Sequence, residues 1–207
     1  MQPEELLAVP PTTPMLIYKL VSIVERLEIA GMFPVQQPLD VELGSGDGSF
    51  LANYARLHPE RNFLGIERLL GRLKKLDRKG QRAKLTNLRA LRIESAYLVE
   101  YLLPTQSVSA LHVYFPDPWP KRKHRKNRLI NQHFTEIAHR ALAPEGLVYL
   151  RTDDEDYFTQ MVTVFAASPV FRLVETPEEL SAVVTDFERG FTARGISTRR
   201  AAYQKVG

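Results

Sequence analysis

The segment around Asp117 places a single carboxylate between an apolar run and the most basic part of the chain. The sequence YFPDPWPKRKHRKNR, residues 114–128, sets Asp117 between Pro116 and Pro118, and prolines stiffen a turn by fixing φ. Six of the eight residues 121–128 are Lys or Arg, a composition that suits a polyanion. A carboxylate held rigidly beside such a surface is the first candidate site of the chain.

A glycine turn and a distant carboxylate predict a site for a nucleoside cofactor. The sequence VELGSGDGSF places Gly44, Gly46 and Gly48 between a strand and a helix, where glycines permit a tight turn and close approach of a ligand. Glu67 ends the next strand about twenty residues later, where nucleotide-binding domains place an acid for the ribose hydroxyls. The expected cofactor contacts are Glu42, Gly44, Gly46 and Glu67.

Glu42 and the glycine spacing distinguish between possible cofactors. A dinucleotide site favours G-x-G-x-x-G, with the pyrophosphate over the N-terminus of the helix. Here the spacing is G-x-G-x-G, and Glu42 would oppose a pyrophosphate but suits an amino group. S-adenosylmethionine has an α-amino group, a sulfonium cation and no phosphate, so the sequence favours it over NAD.

Polar residues also follow the third and fifth strands of the series. Glu94 or Ser95, in RIESAY, could accept a hydrogen bond from the amino group of an adenine. Asp153, in RTDDEDY, could face the site or could cap the following helix. Both choices stay open on the sequence alone.

Aromatic residues beside acids could recognise a flat base. Trp119 is the only tryptophan and is part of the core, a wall for a flat base, or a support for the turn that carries Asp117. In TDFERG, residues 185–190, acids flank Phe187 and could accept hydrogen bonds from a base edge.

Strands and helices alternate along most of the chain, which predicts βαβ units and a mostly parallel sheet. The predicted strands are LDVEL, NFLGIE, LRALRI, VSALHVYF, GLVYLRT, FRLVE and RRAAYQK. Helices are predicted over residues 48–58, 68–82, 96–102, 129–142 and 155–167. Ligands in such sheets bind beyond the carboxyl ends of the strands, so the residues above should meet at one edge.

The N-terminal region is expected to be an appendage. Residues 1–13 read as a loose arm, and the spacing of apolar residues predicts a helix over residues 14–31. The predicted organisation is an N-terminal arm and helix over residues 1–36, followed by one α/β domain over residues 37–207.

The composition excludes several classes of function. The chain has 207 residues and no cysteine, which excludes disulfides, thiolate metal sites and a cysteine nucleophile. Its apolar runs are too short to cross a bilayer, and the acidic, proline-rich start does not resemble a secretory signal. We expect a soluble cytoplasmic protein without a metal or a membrane partner.

Basic residues crowd into three places although the net charge is only +4. Residues 68–92 contain ten Lys or Arg and one acid, residues 121–128 contain six, and residues 189–205 contain five. One such cluster is ordinarily a solvated face, but three together favour a polyanion as partner.

The chain resembles the bacterial tRNA (guanine-N7-)-methyltransferases, which methylate guanine at position 46 of tRNA. The matching pieces, within residues 39–205, are ELGSGDGSFL, FLGIE, YFPDPWPKRKHRKNRL, TDDEDYF and TDFE. The resemblance implies a Rossmann-like class I methyltransferase fold, with a mostly parallel seven-stranded sheet and helices on both faces. It also implies S-adenosylmethionine as cofactor and tRNA as partner. For the assembly, which the sequence does not give, we expect a monomer or homodimer.

The resemblance assigns roles by position. Asp117 would be the catalytic acid and would also contact the cofactor. The implied substrate-binding residues are Lys121, Asp153, Thr185, Asp186, Phe187 and Glu188. The implied RNA contacts are Lys123, His124, Arg125, Lys126, Asn127 and Arg128. The chain departs from the family at Glu94-Ser95-Ala96, where the family has Asn or Asp before Ala, and its N-terminal arm has few basic residues.

Other readings remain open at the level of sequence. The PDPW turn is similar to the Asp/Asn-Pro-Pro-aromatic turn of enzymes that methylate exocyclic or side-chain amines and amides. A non-catalytic RNA-binding module that kept a cofactor fold is a second alternative. An NAD-dependent oxidoreductase is a third, disfavoured by Glu42 and the glycine spacing.

Overall fold

The computed structural model describes residues 15–207, and the arm expected over residues 1–13 lies outside them. One sheet runs through the described chain in the order β1-β4-β3-β2-β5-β6-β8-β7. Its strands are β1 (Ile17–Tyr18), β2 (Leu39–Leu43), β3 (Asn62–Ile66), β4 (Leu88–Leu91), β5 (Val108–Tyr114), β6 (Leu142–Thr152), β7 (Phe171–Val174) and β8 (Arg199–Lys205). The strands β1 to β6 pair in parallel, whereas β8 pairs antiparallel with both β6 and β7.

Helices cover both faces of the sheet. They are α1 (Ser49–Leu57), α2 (Leu70–Arg82), α3 (Ser95–Tyr97), α4 (Gln132–Ala141), α5 (Glu155–Ala166), α6 (Glu178–Ala182) and α7 (Asp186–Thr192). A π-helical turn, Leu98–Leu102, continues α3, and 3-10 turns form at Ile29–Gly31 and Arg122–Asn127. The helices α1 and α2 pack on one face, and α4 and α5 pack on the other.

The central strands form where the sequence is apolar enough to be covered on both sides. Every residue of β2 and of β3 is buried, as expected for parallel strands between two helical layers. On α2 the buried residues Leu73, Leu76 and Gly80 share one side of the helix, which packs against the sheet. The predicted fold class is therefore confirmed, with the core on the two faces of one sheet.

The order of the strands reverses beside β2. The chain builds β3 and β4 on one side of β2 and then returns to place β5 on its other side. Such a reversal opens a crevice at the carboxyl ends of the two diverging strands. The segments that follow β2 to β6 therefore meet at one edge of the sheet.

The helix predicted over residues 14–31 is wrong for the described residues. Residues 17–18 instead form β1, and only residues 29–31 make a single 3-10 turn. Val21 and Val24 are 94% and 79% exposed, so apolar residues at helical spacing do not share a buried face here. The N–H of Leu16, directly before β1, donates to the buried carboxylate of Asp77 at 2.8 Å rather than to a carbonyl within a helix.

The sheet has eight strands rather than the seven expected, because the short β1 pairs with the edge of β4. The strand predicted to begin at Gly146 begins earlier, at Leu142. This residue follows α4 directly, its side chain is buried, and its backbone lies opposite Val108 of β5. The helices α6 and α7 were not predicted. The TDFE residues form the N-cap and first turn of α7, so the helix determines which of their side chains face the site.

Candidate active site

Two adjoining cavities lie at the carboxyl edge of the sheet. The β3 cavity, of about 380 Å³, is lined in part by Glu67, Leu69, Glu94, Ser95, Trp119 and Asn127. The α7 cavity, of about 320 Å³, is lined in part by Glu42, Ser45, Gly46, Asp47, Asp153, Thr185 and Phe187. Residues that line both are Gly44, Arg72, Tyr114, Phe115, Pro116 and Asp117. Asp117 therefore stands where the two cavities meet.

The glycines after β2 have two different tasks. Gly44 and Gly46 have φ of +84° and +55°, and a Cβ added at either would meet no atom within 4 Å. They supply a left-handed backbone turn with open space above it, which a ligand can approach closely. At Gly48, with φ of +76°, a Cβ would lie 2.6 Å from Cγ of Leu76, so this glycine lets α2 pack against the turn.

Glu42 is a buried acid without a partner. Its side chain is 3% exposed, and among residues 15–207 its Oε2 atom has no hydrogen-bond partner, nor has Oγ of neighbouring Ser45. Burial raises the pKa of Glu42 to about 8; Arg151 opposes this rise, whereas the charges of Asp47 and Glu67 add to it. An unpartnered acid on the α7 cavity fits a cationic group of a ligand.

Glu67 lies at the β3 cavity with one oxygen engaged. Its Oε1 accepts a hydrogen bond from the N–H of Leu69 at 2.7 Å, which fixes the carboxylate at the end of β3. Its Oε2 lies 4.0 Å from Nη1 of Arg72, at the edge of ion-pair distance. The second oxygen can therefore accept hydrogen bonds from hydroxyl groups in the cavity.

Glu94 and Ser95 both line the β3 cavity but differ in availability. Glu94 is the N-cap of α3: one oxygen accepts from the N–H of Ala96 at 3.0 Å and the other from the N–H of Tyr97 at 2.7 Å. Both acidic oxygens thus already serve the helix. The hydroxyl of Ser95 has no such engagement within the described chain, which makes Ser95 the freer ligand donor or acceptor.

The turn that carries Asp117 has a strained backbone. Phe115 and Trp119, two residues on either side of Asp117, have φ of +51° and +45°, which bulky residues rarely adopt. The N–H of Phe115 donates to the carbonyl of Arg151 at 2.8 Å and anchors the start of the turn to β6. Asp117 itself is exposed to the two cavities. Trp119 is 36% exposed and lines the β3 cavity, so it is not part of the core.

Arg128 does not face solvent as the sequence suggested for an RNA contact. Its guanidinium is buried, donating from Nε to the carbonyl of Pro118 at 2.7 Å, from Nη1 to Gln160 Oε1 at 2.8 Å and from Nη2 to Asp156 Oδ2 at 2.6 Å. It also lies over the ring of Tyr157, 4.7 Å from its centroid. The expected phosphate contact is therefore corrected: Arg128 joins the Asp117 turn to α5.

The rest of the basic block is divided between paired and free side chains. Arg125 forms a 3.0 Å ion pair with Asp156, and the half-buried ring of His124 packs edge-on against Trp119 at 5.8 Å. Lys121, Lys123 and Lys126 are exposed. Asn127 lines the β3 cavity, whereas Lys121 lies outside both cavities.

The TDFE segment forms the start of α7. Thr185 is its N-cap: its Oγ1 accepts from the N–H of Glu188 at 3.0 Å, while Glu188 Oε2 accepts from the N–H of Thr185 at 2.9 Å. Glu188 is buried and also pairs with Arg151 at 2.9 Å and Arg200 at 2.8 Å. Its carboxylate therefore stabilises α7 and lies outside both cavities, so it is not available there to accept a hydrogen bond from a base.

The remaining residues of this segment differ in position. Phe187 is half exposed at the α7 cavity, with its ring 6.1 Å from that of Phe115 in a stacked arrangement. Asp186 lies outside the cavities and faces Lys79 at 3.9 Å and Arg189. Asp153 lines the α7 cavity, and the adjacent Asp154 is the cap of α5, through the N–H of Tyr157 at 2.7 Å. The alternative of Asp153 as a cap is thereby excluded.

Two cations that support the site were not singled out from the sequence. Arg151, at the end of β6, donates to Glu188 and to the carbonyls of Val183 and Leu180, and so connects the sheet to the segments around α6 and α7. Lys79 of α2 binds Asp47 of the glycine turn at 2.8 Å. A basic run in sequence gives no signal for such partners, because they lie far away along the chain.

Within residues 15–207, no cluster of His, Asp and Glu is arranged to hold a metal ion. None of the described helices is long and apolar enough to cross a membrane. The site includes carboxylates, backbone turns, hydroxyls, aromatic rings, the amide of Asn127 and the guanidinium of Arg72.

The residues present fit S-adenosylmethionine. Unpartnered Glu42 suits its amino group, the open glycine turn admits a close ligand, and the free oxygen of Glu67 suits ribose hydroxyls. The spacing of these groups along one sheet edge, across two joined cavities, suits an elongated ligand.

Comparisons with known proteins show the family of the chain. A family model described as "Putative methyltransferase" matches residues 36–201. A tRNA (guanine-N(7)-)-methyltransferase of Rubrobacter xylanophilus is 39% identical over 82% of this chain and 77% of its own length. The chain belongs to the tRNA (guanine-N7-)-methyltransferase family. The cofactor of this family is S-adenosylmethionine, in agreement with the prediction from Glu42 and the glycine spacing.

Other similarities define the extent of the match. A family member from Chromohalobacter salexigens is 37% identical over 74% of this chain, and the chain spans 62% of the length of that protein. Among solved structures, a 30S ribosomal A1408 methyltransferase from an uncultured bacterium has a TM-score of 0.62, with 18% identity over 91% of this chain and 96% of that one. At that identity the similarity shows the fold, a class I methyltransferase fold.

Proposed function

We propose that the protein transfers a methyl group from S-adenosylmethionine to N7 of guanine at position 46 of tRNA, in the cytoplasm. The observation that carries this proposal is the position of Asp117, at the junction of a cavity suited to the cofactor's nucleoside and a cavity with an exposed aromatic ring. The names of the relatives support tRNA and guanine N7 as the substrate. The boundary at residues 36–37 and the choice between monomer and homodimer remain predictions.

Three groups of this chain would hold the cofactor. Glu42 would bind the amino group, Glu67 the ribose hydroxyls, and Ser95, rather than Glu94, the edge of the adenine. S-adenosylmethionine supplies an activated methyl group on a sulfonium cation. The strained turn around Asp117 fixes the carboxylate beside the shared part of the two cavities.

The chain needs no strong general base for this reaction. Guanine N7 already carries a lone pair, so no proton has to be removed before it is methylated. The ring gains positive charge as N7 is methylated, and a preorganised carboxylate at Asp117 stabilises that charge. Holding the base in the required orientation is the other task, which makes the rigidity of the turn part of catalysis.

Residues of the α7 cavity would select guanine. Phe187 offers an exposed ring for stacking, and Asp153 offers carboxylate oxygens to N1–H and N2–H₂, donors that adenine lacks at these positions. The base has to leave its stack to reach this cavity, at a cost of roughly a few kcal/mol. Phosphate contacts by Lys123 and Lys126 help to offset that cost.

Substitution of Asp117 tests the assignment. Asp117→Asn keeps the size of the side chain and removes its charge, so we expect methyl transfer to fall by about 100-fold or more while the Kd for tRNA changes less than about threefold. Single-turnover transfer from labelled S-adenosylmethionine to unmodified tRNA measures the first quantity, and filter binding measures the second. Near wild-type turnover in Asp117→Asn would show that the carboxylate of Asp117 has no catalytic role.

A further inference from the structure

The helix α2 presents a solvent face made of cations. Its exposed or half-exposed basic residues are Arg72, Lys74, Lys75, Arg78, Lys79 and Arg82. Its single acid, Asp77, is turned inward and buried, where it accepts hydrogen bonds from the N–H of Leu16 at 2.8 Å and from Gln81 at 2.9 Å. The solvent side of the helix therefore carries positive charge without an acidic residue of its own.

Most of these cations have no acidic partner. Within the described chain, Lys79 pairs with Asp47, and Arg72 lies 4.0 Å from Glu67, but Lys74, Lys75, Arg78 and Arg82 form no ion pair. Like charges three and four residues apart on a helix repel each other. A solvated helical face ordinarily mixes charges of both signs, so an unbalanced face is suited to an anionic partner.

The spacing of the cations suits an extended polyanion. Lys75, Arg78 and Arg82 follow one another by three and four residues and form a stripe opposite the buried Leu73, Leu76 and Gly80. Over the 13 residues of α2 the helix is about 20 Å long. Arg72, at its first turn, lines both cavities, so the stripe leads from the site along the outer surface.

The basic block and α2 offer similar numbers of free cations. In residues 121–128, Arg128 is buried and Arg125 is paired, so within the described chain four cations form no ion pair, as on α2. No apolar residue interrupts the stripe of Lys75, Arg78 and Arg82, and insertion into a lipid surface would require one.

We propose that the outer face of α2 binds the sugar-phosphate backbone of tRNA at a distance from the methylated guanine. This inference rests on the function proposed above. In it, residues 121–128 act close to the target base, and the α2 stripe supplies affinity by contacting phosphates of a more distant part of the same RNA. The contacts are electrostatic, without recognition of bases.

Neutralisation of the stripe tests the affinity. For Arg78→Gln/Arg82→Gln, we expect the Kd for unmodified tRNA to rise about tenfold and the slope of log Kd against log salt to flatten by about 2, because two phosphate contacts are lost. The charge-preserving variant Arg78→Lys/Arg82→Lys should retain most of the binding. Arg172→Gln, on β7 at the other end of the sheet, should bind as wild type does. An unchanged Kd and salt slope in the neutralised variant would overturn the proposal.

Cross-linking tests the location, using the absence of cysteine in the chain. A photoreactive group on Arg78→Cys should cross-link to tRNA nucleotides away from the methylated guanine, whereas the same group on Arg172→Cys should not cross-link. Absence of cross-links from position 78 would overturn the proposal.

The two proposals fail in different ways. If wild-type protein methylates tRNA and the α2 variants bind it normally, only the α2 surface is wrong. If wild-type protein binds tRNA through α2 but transfers no methyl group, the proposed reaction is wrong. In the neutralised variant kcat and the KM for S-adenosylmethionine should stay at wild-type values, since Arg78 and Arg82 lie outside the cavities.

Discussion

Replacing Arg128 by lysine separates a structural role from contact with RNA. The guanidinium makes three hydrogen bonds, to Pro118, Gln160 and Asp156, and lies over the ring of Tyr157. A lysine ammonium keeps the charge but cannot replace the planar fork. We therefore expect Arg128→Lys to lose about two of these hydrogen bonds.

The magnitude follows from that loss. Hydrogen bonds of a charged group contribute about 1.5–3 kcal/mol each, and Asp156, being half exposed, can be rehydrated, so we expect the free energy of unfolding to fall by about 2–4 kcal/mol. For a domain of this size the corresponding fall in Tm is about 5–15 °C. Because the carbonyl of Pro118, next to Asp117, loses its donor, kcat should fall by about 100-fold.

The assay compares this variant with one at an exposed lysine. Thermal unfolding, kcat, and the Kd for tRNA over a range of salt are measured for Arg128→Lys and for Lys126→Gln. Arg128→Lys should lower Tm and kcat with little change in the salt slope, whereas Lys126→Gln should weaken binding and flatten the slope by about 1. A normal kcat with weakened tRNA binding in Arg128→Lys would refute the structural role and restore the phosphate contact predicted from sequence.

Two further predictions concern the acids of the site. The pKa of Glu42 is raised from 4.5 to about 8, so the folded protein binds more protons than the unfolded chain between these values, and stability falls as the pH rises through them. Without cofactor, Tm should therefore drop more for wild type than for Glu42→Gln between about pH 5 and about pH 8, and equal drops would contradict the assignment. Glu94→Ala should cost about 1 kcal/mol of stability by removing an N-cap, with little effect on the Kd for S-adenosylhomocysteine. Ser95→Ala should leave Tm unchanged and weaken that Kd about 3- to 10-fold in calorimetry; the reverse pattern would identify Glu94 as the adenine contact.

The centre of the fold could be predicted because its signals are local and strong. LDVEL and NFLGI are apolar throughout, and the structure buries every one of their residues between two helical layers. The glycine turn and the acid after the next strand follow from the same pattern, because parallel strands bring their carboxyl ends to one edge. For this reason Glu42, Glu67 and Asp117 were expected together and are found together.

The N-terminal helix could not be excluded from the sequence. Apolar spacing indicates a helix only if the apolar residues share a covered face, and nothing in residues 15–31 reveals that Val21 and Val24 are left exposed. The contacts of this segment are distant in sequence: the N–H of Leu16 donates to Asp77, 61 residues away, and the N–H of Leu27 donates to the carbonyl of Leu102.

Whether a charged side chain is buried or exposed also depends on partners that are distant in sequence. Arg128 is buried because Asp156 and Gln160 of α5 lie beside it, and Glu188 is buried because Arg151 and Arg200 surround it. In sequence, Arg128 cannot be told from its exposed neighbours in the same basic run. A charge pattern indicates the kind of partner, but the structure determines which side chains are free to bind it.

The most direct test is to incubate the protein with methyl-labelled S-adenosylmethionine and unmodified tRNA, and then to digest the RNA to nucleosides. We predict label in 7-methylguanosine alone, from position 46, and none when that guanine is replaced by adenine in the transcript. Label in any other nucleoside, or no transfer by protein that binds both partners, would contradict the proposed function.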